Sequence, residues 1–361
     1  MTLRRLRLAS GLVLMAFVTA HMANLMLGMH SLAAIESARP YLMGPWRSAP
    51  GIVLLGAAAL VHLALGVYAL GARRSTAMTR TDLVQLALGL VTPPLLLNHA
   101  VVMHTAGEVT PNFDATFGQM LAVYWSFSPG YAFQQLAVVM VVWIHAAVGL
   151  YSWLVLKPVW KRIGGLVLPV LFAVPILALL GFAEAGREVL DKLANDPAWR
   201  MHITENLRRV AAVTAPLERF QNLVLMFYAA LVAAASALFG SRALRARLER
   251  VTISYDGGFS AQGRRGLSIL ELSRLNDVPH AHVCSGRGRC GTCRVRVESG
   301  AEQLSAAGES ERATLERLGA GVRERLACQA NVNGAGVAVT RVLPSYADAS
   351  AARVPEEWVA P

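Results

Sequence analysis

The chain has 361 residues, of which 55% are hydrophobic and only 16% charged, a balance that excludes an ordinary soluble protein of this length. Its net charge of +11 does not point to nucleic acid, because most Lys and Arg flank apolar runs, where membrane anchoring explains them. All four cysteines fall between Cys284 and Cys328, which excludes a disulfide framework for the whole chain.

Six apolar runs follow in order: Leu8 to Met29, Gly51 to Gly71, Leu83 to Met103, Phe133 to Leu156, Ile163 to Ala183 and Gln221 to Ser241. A helix rising ~1.5 Å per residue needs about 20 residues to cross ~30 Å of hydrocarbon, and each run supplies them. None contains Asp, Glu, Lys or Arg, and none alternates as a barrel strand would. The first run continues past His21 and Asn24 without a cleavage site, longer than the apolar part of a signal peptide (about 7–15 residues), and is read as a span. Residues 1–245 are therefore predicted to form an all-α bundle of six transmembrane helices.

Basic residues set the orientation. Arg4, Arg5 and Arg7 precede the first span, Arg73, Arg74 and Arg80 link the second and third, and Lys157, Lys161 and Arg162 link the fourth and fifth. Arg242, Arg245, Arg247 and Arg250 close the sixth on the same side, so both termini are expected in the cytoplasm. The connection from Glu184 to Leu217 departs from this pattern, since it is basic yet must lie outside.

His21, His62, His99 and His145 each sit within a different span, where an imidazole is costly unless paired or ligated. Counting from the nearest charge on the cytoplasmic side places His62 about 17 Å and His145 about 18 Å deep, with His21 about 21 Å and His99 about 26 Å deep. Two cross-bundle pairs result, one inner and one outer, and a bis-histidine haem needs two imidazoles at matching depth. Zinc would need three or four ligands converging on one point. Gly66, Gly89 and Gly149 are small residues beside these histidines that would let a flat macrocycle approach.

The stretches Arg4-Arg5 with His21-Met-Ala-Asn24, His62-Leu-Ala-Leu-Gly-Val-Tyr68, Asn98-His99 and Trp143-Ile-His145-Ala-Ala-Val-Gly149 resemble the dihaem cytochrome b anchor of succinate:quinone oxidoreductases, over roughly residues 1–180. The resemblance implies two b haems, the one nearer the cytoplasm on His62 and His145 and the distal one on His21 and His99, and reaction with a membrane quinone. A sixth span departs from that anchor, and His30 and His104 are alternative outer ligands.

From Val251 the pattern changes to short alternating strands, Val251–Tyr255 and Arg294–Glu298, with a capping box, Ser268-Ile-Leu-Glu271, opening a short helix. A small α+β domain is expected over 246–344, followed by a flexible tail from Ser345 to Pro361. Five residues separate Cys284 from Cys290, two separate Cys290 from Cys293, and 34 lead on to Cys328, so one loop offers three thiolates and a remote segment the fourth. A zinc ribbon would need a second C-x2-C knuckle. The motif Cys284-Ser-Gly-Arg-Gly-Arg-Cys-Gly-Thr-Cys293 with Arg325-Leu-Ala-Cys328 resembles [2Fe-2S] ferredoxins of the β-grasp fold, which implies one such cluster on these thiolates. With twelve Arg against nine Asp plus Glu between Val251 and Leu343, this domain lacks the acidic surface of electron-shuttling relatives. His280 and His282 are expected to face solvent.

The order of six spans and then a ferredoxin also resembles the N-terminal region of bacterial membrane-bound class III adenylate cyclases. That resemblance implies a redox sensor of the quinone pool in a bacterial inner membrane, pairing as a homodimer and regulating a cyclase or other output domain absent from this chain. The alternative is an electron-transfer oxidoreductase between a cytoplasmic donor and quinone; no G-x-G-x-x-G after a strand marks a flavin or nicotinamide site.

Overall fold

The computed structural model describes residues 3–73, 80–100, 109–110, 113, 115–157, 159–245 and 250–352. Among them, six helices are long and apolar enough to cross a membrane. They are α1 (Leu3–Met26), α4 (Ala49–Gly71), α5 (Arg80–Ala100), α7 (Gly130–Leu154), α8 (Trp160–Asn195) and α9 (Pro197–Arg245), with the shorter α2 (Leu32–Leu42), α3 (Gly44–Arg47) and α6 (Phe117–Ala122) between them. The chain divides into two compact units. The first comprises Met1–Tyr68, Val84–Gly149 and Gly165–Ala233, and the second Ala69–Leu83, Leu150–Gly164 and Ala234–Pro361.

In the first unit, α1 and α8 meet at backbone distance. A Cβ on Gly28 would lie 2.3 Å from the Gly181 carbonyl oxygen, and one on Gly181 would lie 2.1 Å from that of Leu25, so only glycine fits at either place. Met22 and Ala178 pack there with Trp143 of α7, whose indole N–H donates to the Leu171 carbonyl at 2.6 Å. Pro93, Pro94, Pro169, Pro175 and Pro216 all lie inside long helices.

The segment Glu184–Leu217, expected as a connection, is helical except at Asp196: α8 runs on through it and α9 begins within it. The physical reason is an amphipathic repeat hidden by its charge. Phe182, Ala185, Val189 and Leu193 recur at spacings of three and four and are buried with Ile203 against Leu32, Ile35 and Leu121. The charged face is stapled by Glu184 with Arg187 and by Glu205 with Arg208 and Arg209, and Asp196 caps α9 by accepting the Trp199 N–H at 2.9 Å.

The second unit contains the soluble-type domain. Its five-stranded mixed sheet has the order β2-β1-β5-β3-β4, from β1 (Arg250–Tyr255), β2 (Ser260–Arg264), β3 (Arg294–Ser299), β4 (Glu324–Leu326) and β5 (Val337–Arg341). β1 and β5 run parallel at the centre and the other pairs are antiparallel. Alternation buries Val251, Ile253 and Tyr255 on one face of β1, against α10 (Ile269–Leu275), which opens on the Ser268–Glu271 capping box. Helix α11 (Glu309–Arg317) follows β3 and contacts β4. Within the stretch expected as a tail, residues 349–352 form a turn with Ala352 buried, held by the Arg317 guanidinium on the Ala352 carbonyl at 3.2 Å.

Candidate metal centre

Between α10 and β3 the chain forms a loop that curls around its own sulfur atoms. Ser285, Gly286, Gly288 and Gly291 all have positive φ, a run of backbone reversals that turns successive amides inward. Gly291 is the tightest of them: a Cβ there would lie 2.1 Å from Leu318 Cδ1. Outside the loop, Thr314 donates to the Gly288 carbonyl at 2.7 Å and the Gln329 amide to that of Gly286 at 3.3 Å.

Cys284, Cys290 and Cys293 are buried and Cys328 is half-buried. The thiols pair two by two, Cys284 with Cys290 and Cys293 with Cys328, each pair in hydrogen-bond contact. The Cys284 thiol is held well below its ordinary value, first by the Cys290 thiol and then by the backbone N–H groups of Arg289, Cys290 and Arg287, which outweigh burial. Cys290 and Cys293 are pushed up, first by the hydrogen bonds to their partner thiols Cys284 and Cys328 and then by burial. Two thiol pairs inside a cage of amide donors fit a two-iron cluster, one pair per iron, with four thiolates accommodated once the irons supply positive charge. Among the described residues no three His, Cys, Asp or Glu side chains converge as one metal ion requires.

The remote thiol is fixed by a buried ion pair. Glu311 on α11 is 1% exposed and accepts from Arg325 Nε at 2.8 Å, Arg325 Nη2 at 3.1 Å and the Leu326 N–H at 2.8 Å, which anchors β4 just before Cys328. Nothing in the spacing of Glu311 marked it out. His280 is corrected: it is buried, not solvent-facing, because its ring packs edge-on against Tyr255 and its Nδ1 meets Ser273 Oγ at 3.0 Å. Burial pushes its pKa down to about 4.

In the first unit the structure brings the histidines together in pairs. His21 on α1 faces His99 on α5 with ring centroids 5.9 Å apart, and His62 on α4 faces His145 on α7 at 6.2 Å. His62 Nδ1 lies 3.2 Å from the Arg7 carbonyl and His145 Nδ1 lies 3.1 Å from that of Gln85, while His99 Nδ1 meets the Tyr124 hydroxyl at 3.1 Å. His21 is flanked by Phe17 and Phe117. Of the glycines expected beside them, Gly89 abuts His145, its would-be Cβ being 2.9 Å from Cε1; Gly149 instead faces Gln85, and Gly66 faces open space. Gly11, which sequence spacing did not single out, does for His62 what Gly89 does for His145, at 3.0 Å. His30 is exposed at a helix end, and His104 lies outside the described residues.

A small mixed sheet carrying a cysteine loop and a fourth cysteine after β4 defines a ferredoxin-type iron–sulfur domain. The model of the 2Fe-2S iron-sulfur cluster binding domain family matches residues 255–333, which include all four cysteines. A 2Fe-2S ferredoxin-5 of Aquifex aeolicus is 37% identical over 76 residues, 21% of this chain and 79% of that protein. Chlorosome protein I of Chlorobaculum tepidum is 33% identical over 73 residues, 20% of this chain and 30% of that protein. The solved ISC-like [2Fe-2S] ferredoxin of Pseudomonas putida is 27% identical, covering 27% of this chain and 94% of that one, with a TM-score of 0.24. Through this segment the chain belongs to the [2Fe-2S] ferredoxin family.

Proposed function

We propose that the chain is a membrane redox module, in which His21 with His99 and His62 with His145 each hold a b haem and Cys284, Cys290, Cys293 and Cys328 hold a [2Fe-2S] cluster on the cytoplasmic side. The carrying observation is the pairing of histidines from four different helices at 5.9 and 6.2 Å. Two metal–imidazole bonds of about 2 Å, with a ring radius on either side, span roughly 6 Å. Haems and clusters of this kind supply one-electron exchange.

The chain's own residues do the holding and orienting. A proton on Nδ1 of His62 and His145, directed at the Arg7 and Gln85 carbonyls, would fix each ring and leave Nε2 to ligate, the Gln85 side-chain amide that lies 3.5 Å from His145 Nε2 giving way. Gly11 and Gly89 let the neighbouring backbone approach those rings, which a Cβ at either place would crowd. Leu60, Leu166, Phe172 and Phe133, each 70–75% exposed on long apolar helices, form a surface suited to lipid rather than water. A quinone is the membrane partner that the histidine pattern suggests, and the state of the cluster is read by a cyclase or other output domain attached beyond Pro361, in a homodimer.

Substitution tests the ligand set directly. His62→Ala or His145→Ala should remove one haem and His21→Ala or His99→Ala the other, with the cluster retained; loss caused by His30→Ala or His104→Ala instead would overturn the assignment. A class III cyclase domain fused after Pro361 should change activity when the quinone pool is switched from oxidised to reduced, and should stop doing so in Cys290→Ser. Activity indifferent to quinone state in both proteins rejects the sensor, and steady turnover of a soluble donor favours the oxidoreductase.

A further inference from the structure

In the second unit, the cluster loop does not stand free. Asp82, in the first turn of α5, meets Arg287 of the loop, with Oδ1 to Nη2 at 3.6 Å and only 13% and 27% of the two side chains exposed. Asp82 also acts electrostatically on Arg274, at the end of α10, so one carboxylate serves two cations of the ferredoxin fold. Beside this ion pair, Leu156 packs with Val283 and Ala352 against Cys284 and Cys290. The thiol edge formed by Cys284 and Cys290 is thereby closed by residues of this same chain. On the opposite pair, Cys328 remains half-buried, covered only partly by the Gln329 amide at 3.5 Å from its sulfur.

We infer that Asp82 is a positioning residue that seats the cluster loop on the ends of α5 and of the segment after α7, sealing the Cys284/Cys290 edge against soluble redox proteins and leaving the Cys328 edge as the face open to them. The inference deepens the redox reading and rests on it for its meaning, but the contact stands on its own geometry. Asp82 suits the task chemically: its carboxylate lies among the basic charges Arg73, Arg80 and Arg274, the last also met by Glu271, so it attracts an arginine of the loop where its basic neighbours would repel one. Leu156 contributes the water-excluding part, since an aliphatic side chain over two thiolates removes the polar contacts that a docking partner would use.

The test uses the full-length protein in detergent or membranes, followed by deuterium exchange of the amides in 283–291, with the cluster's visible and electron-spin spectra recorded alongside. Asp82→Asn keeps the shape of the side chain and removes its charge; it should speed exchange of this loop by roughly three- to ten-fold while the cluster spectra persist. Asp82→Arg should do the same or more, and Asp82→Arg with Arg287→Asp should return protection towards wild type. The reduced cluster should also be oxidised faster by a soluble protein acceptor in Asp82→Asn than in wild type. Unchanged exchange and unchanged oxidation in Asp82→Asn, with intact cluster spectra, would overturn the docking role and leave the ferredoxin reading standing. Absence of cluster spectra in the wild type would instead remove the redox reading itself.

Discussion

Removing Glu311 is the sharpest probe of how the fold holds the fourth thiol. Its carboxylate makes three hydrogen bonds, two to Arg325 and one to the Leu326 N–H, and both it and Leu326 are fully enclosed. In Glu311→Ala the Leu326 amide is left buried without an acceptor, at a cost of about 1–3 kcal/mol, and the Arg325 charge loses its partner. Breaking a buried pair from one side costs about 3–5 kcal/mol in total; Arg325 keeps the Ser305 carbonyl at 2.7 Å and is 16% exposed, which argues for the lower end. Glu311→Gln preserves one acceptor for Leu326 and should cost less, about 1–2 kcal/mol. The assay is anaerobic thermal loss of cluster absorbance at one fixed scan rate, where about 3 kcal/mol lowers the midpoint by on the order of 12 °C or more. A midpoint within about 3 °C of wild type for Glu311→Ala would refute the argument that this ion pair anchors β4.

Other outcomes follow from the same geometry. Gly291→Ala forces a side chain onto a positive φ and into Leu318, so it should lower the yield of cluster-loaded protein, measured as sulfide per chain, whereas Gly308→Ala, where a Cβ meets nothing within 4 Å, should not. Cys284→Ser, Cys290→Ser, Cys293→Ser and Cys328→Ser should each prevent a stable native cluster by iron and sulfide assay. Tyr255 is neutral and buried, its hydroxyl bonded to the Ile269 carbonyl at 3.1 Å, and burial raises its pKa to about 12. Because the folded value lies above the unfolded one, its stabilisation is complete below pH ~10 and is lost as pH rises from there through about 12, so Tyr255→Phe should flatten the alkaline limb of a denaturation-versus-pH curve by roughly 2–3 kcal/mol.

What could be read from the sequence was local. The Ser268–Glu271 cap, the alternation in β1 and β3, and the Cys284–Cys293 spacing each depend on residues within one turn or loop, and each reappears in the structure. The apolar runs identified six helices because hydrophobicity alone marks them, yet α8 and α9 extend far beyond those runs. Their amphipathic portion was masked by Arg187, Lys192, Arg208 and Arg209, whose charge suggested a loop while Ala185, Val189 and Leu193 supplied a helical face. His280 illustrates a different limit: its burial arises from Tyr255 and Ser273, which are distant in sequence or on another element. Asp82, Glu311 and Tyr124 likewise act across long separations, and no local pattern announces such contacts.

The proposed reading puts paired-histidine haem sites and a ferredoxin cluster on one chain. Its most direct test is the metal and cofactor content of the full-length protein purified anaerobically, with haem, non-haem iron and acid-labile sulfide measured on one sample and the haem spin state read from its spectrum. Two low-spin, six-coordinate b haems, two non-haem irons and two sulfides per chain are expected. Cluster iron and sulfide in full with no haem, after expression in haem-replete cells, would contradict that reading.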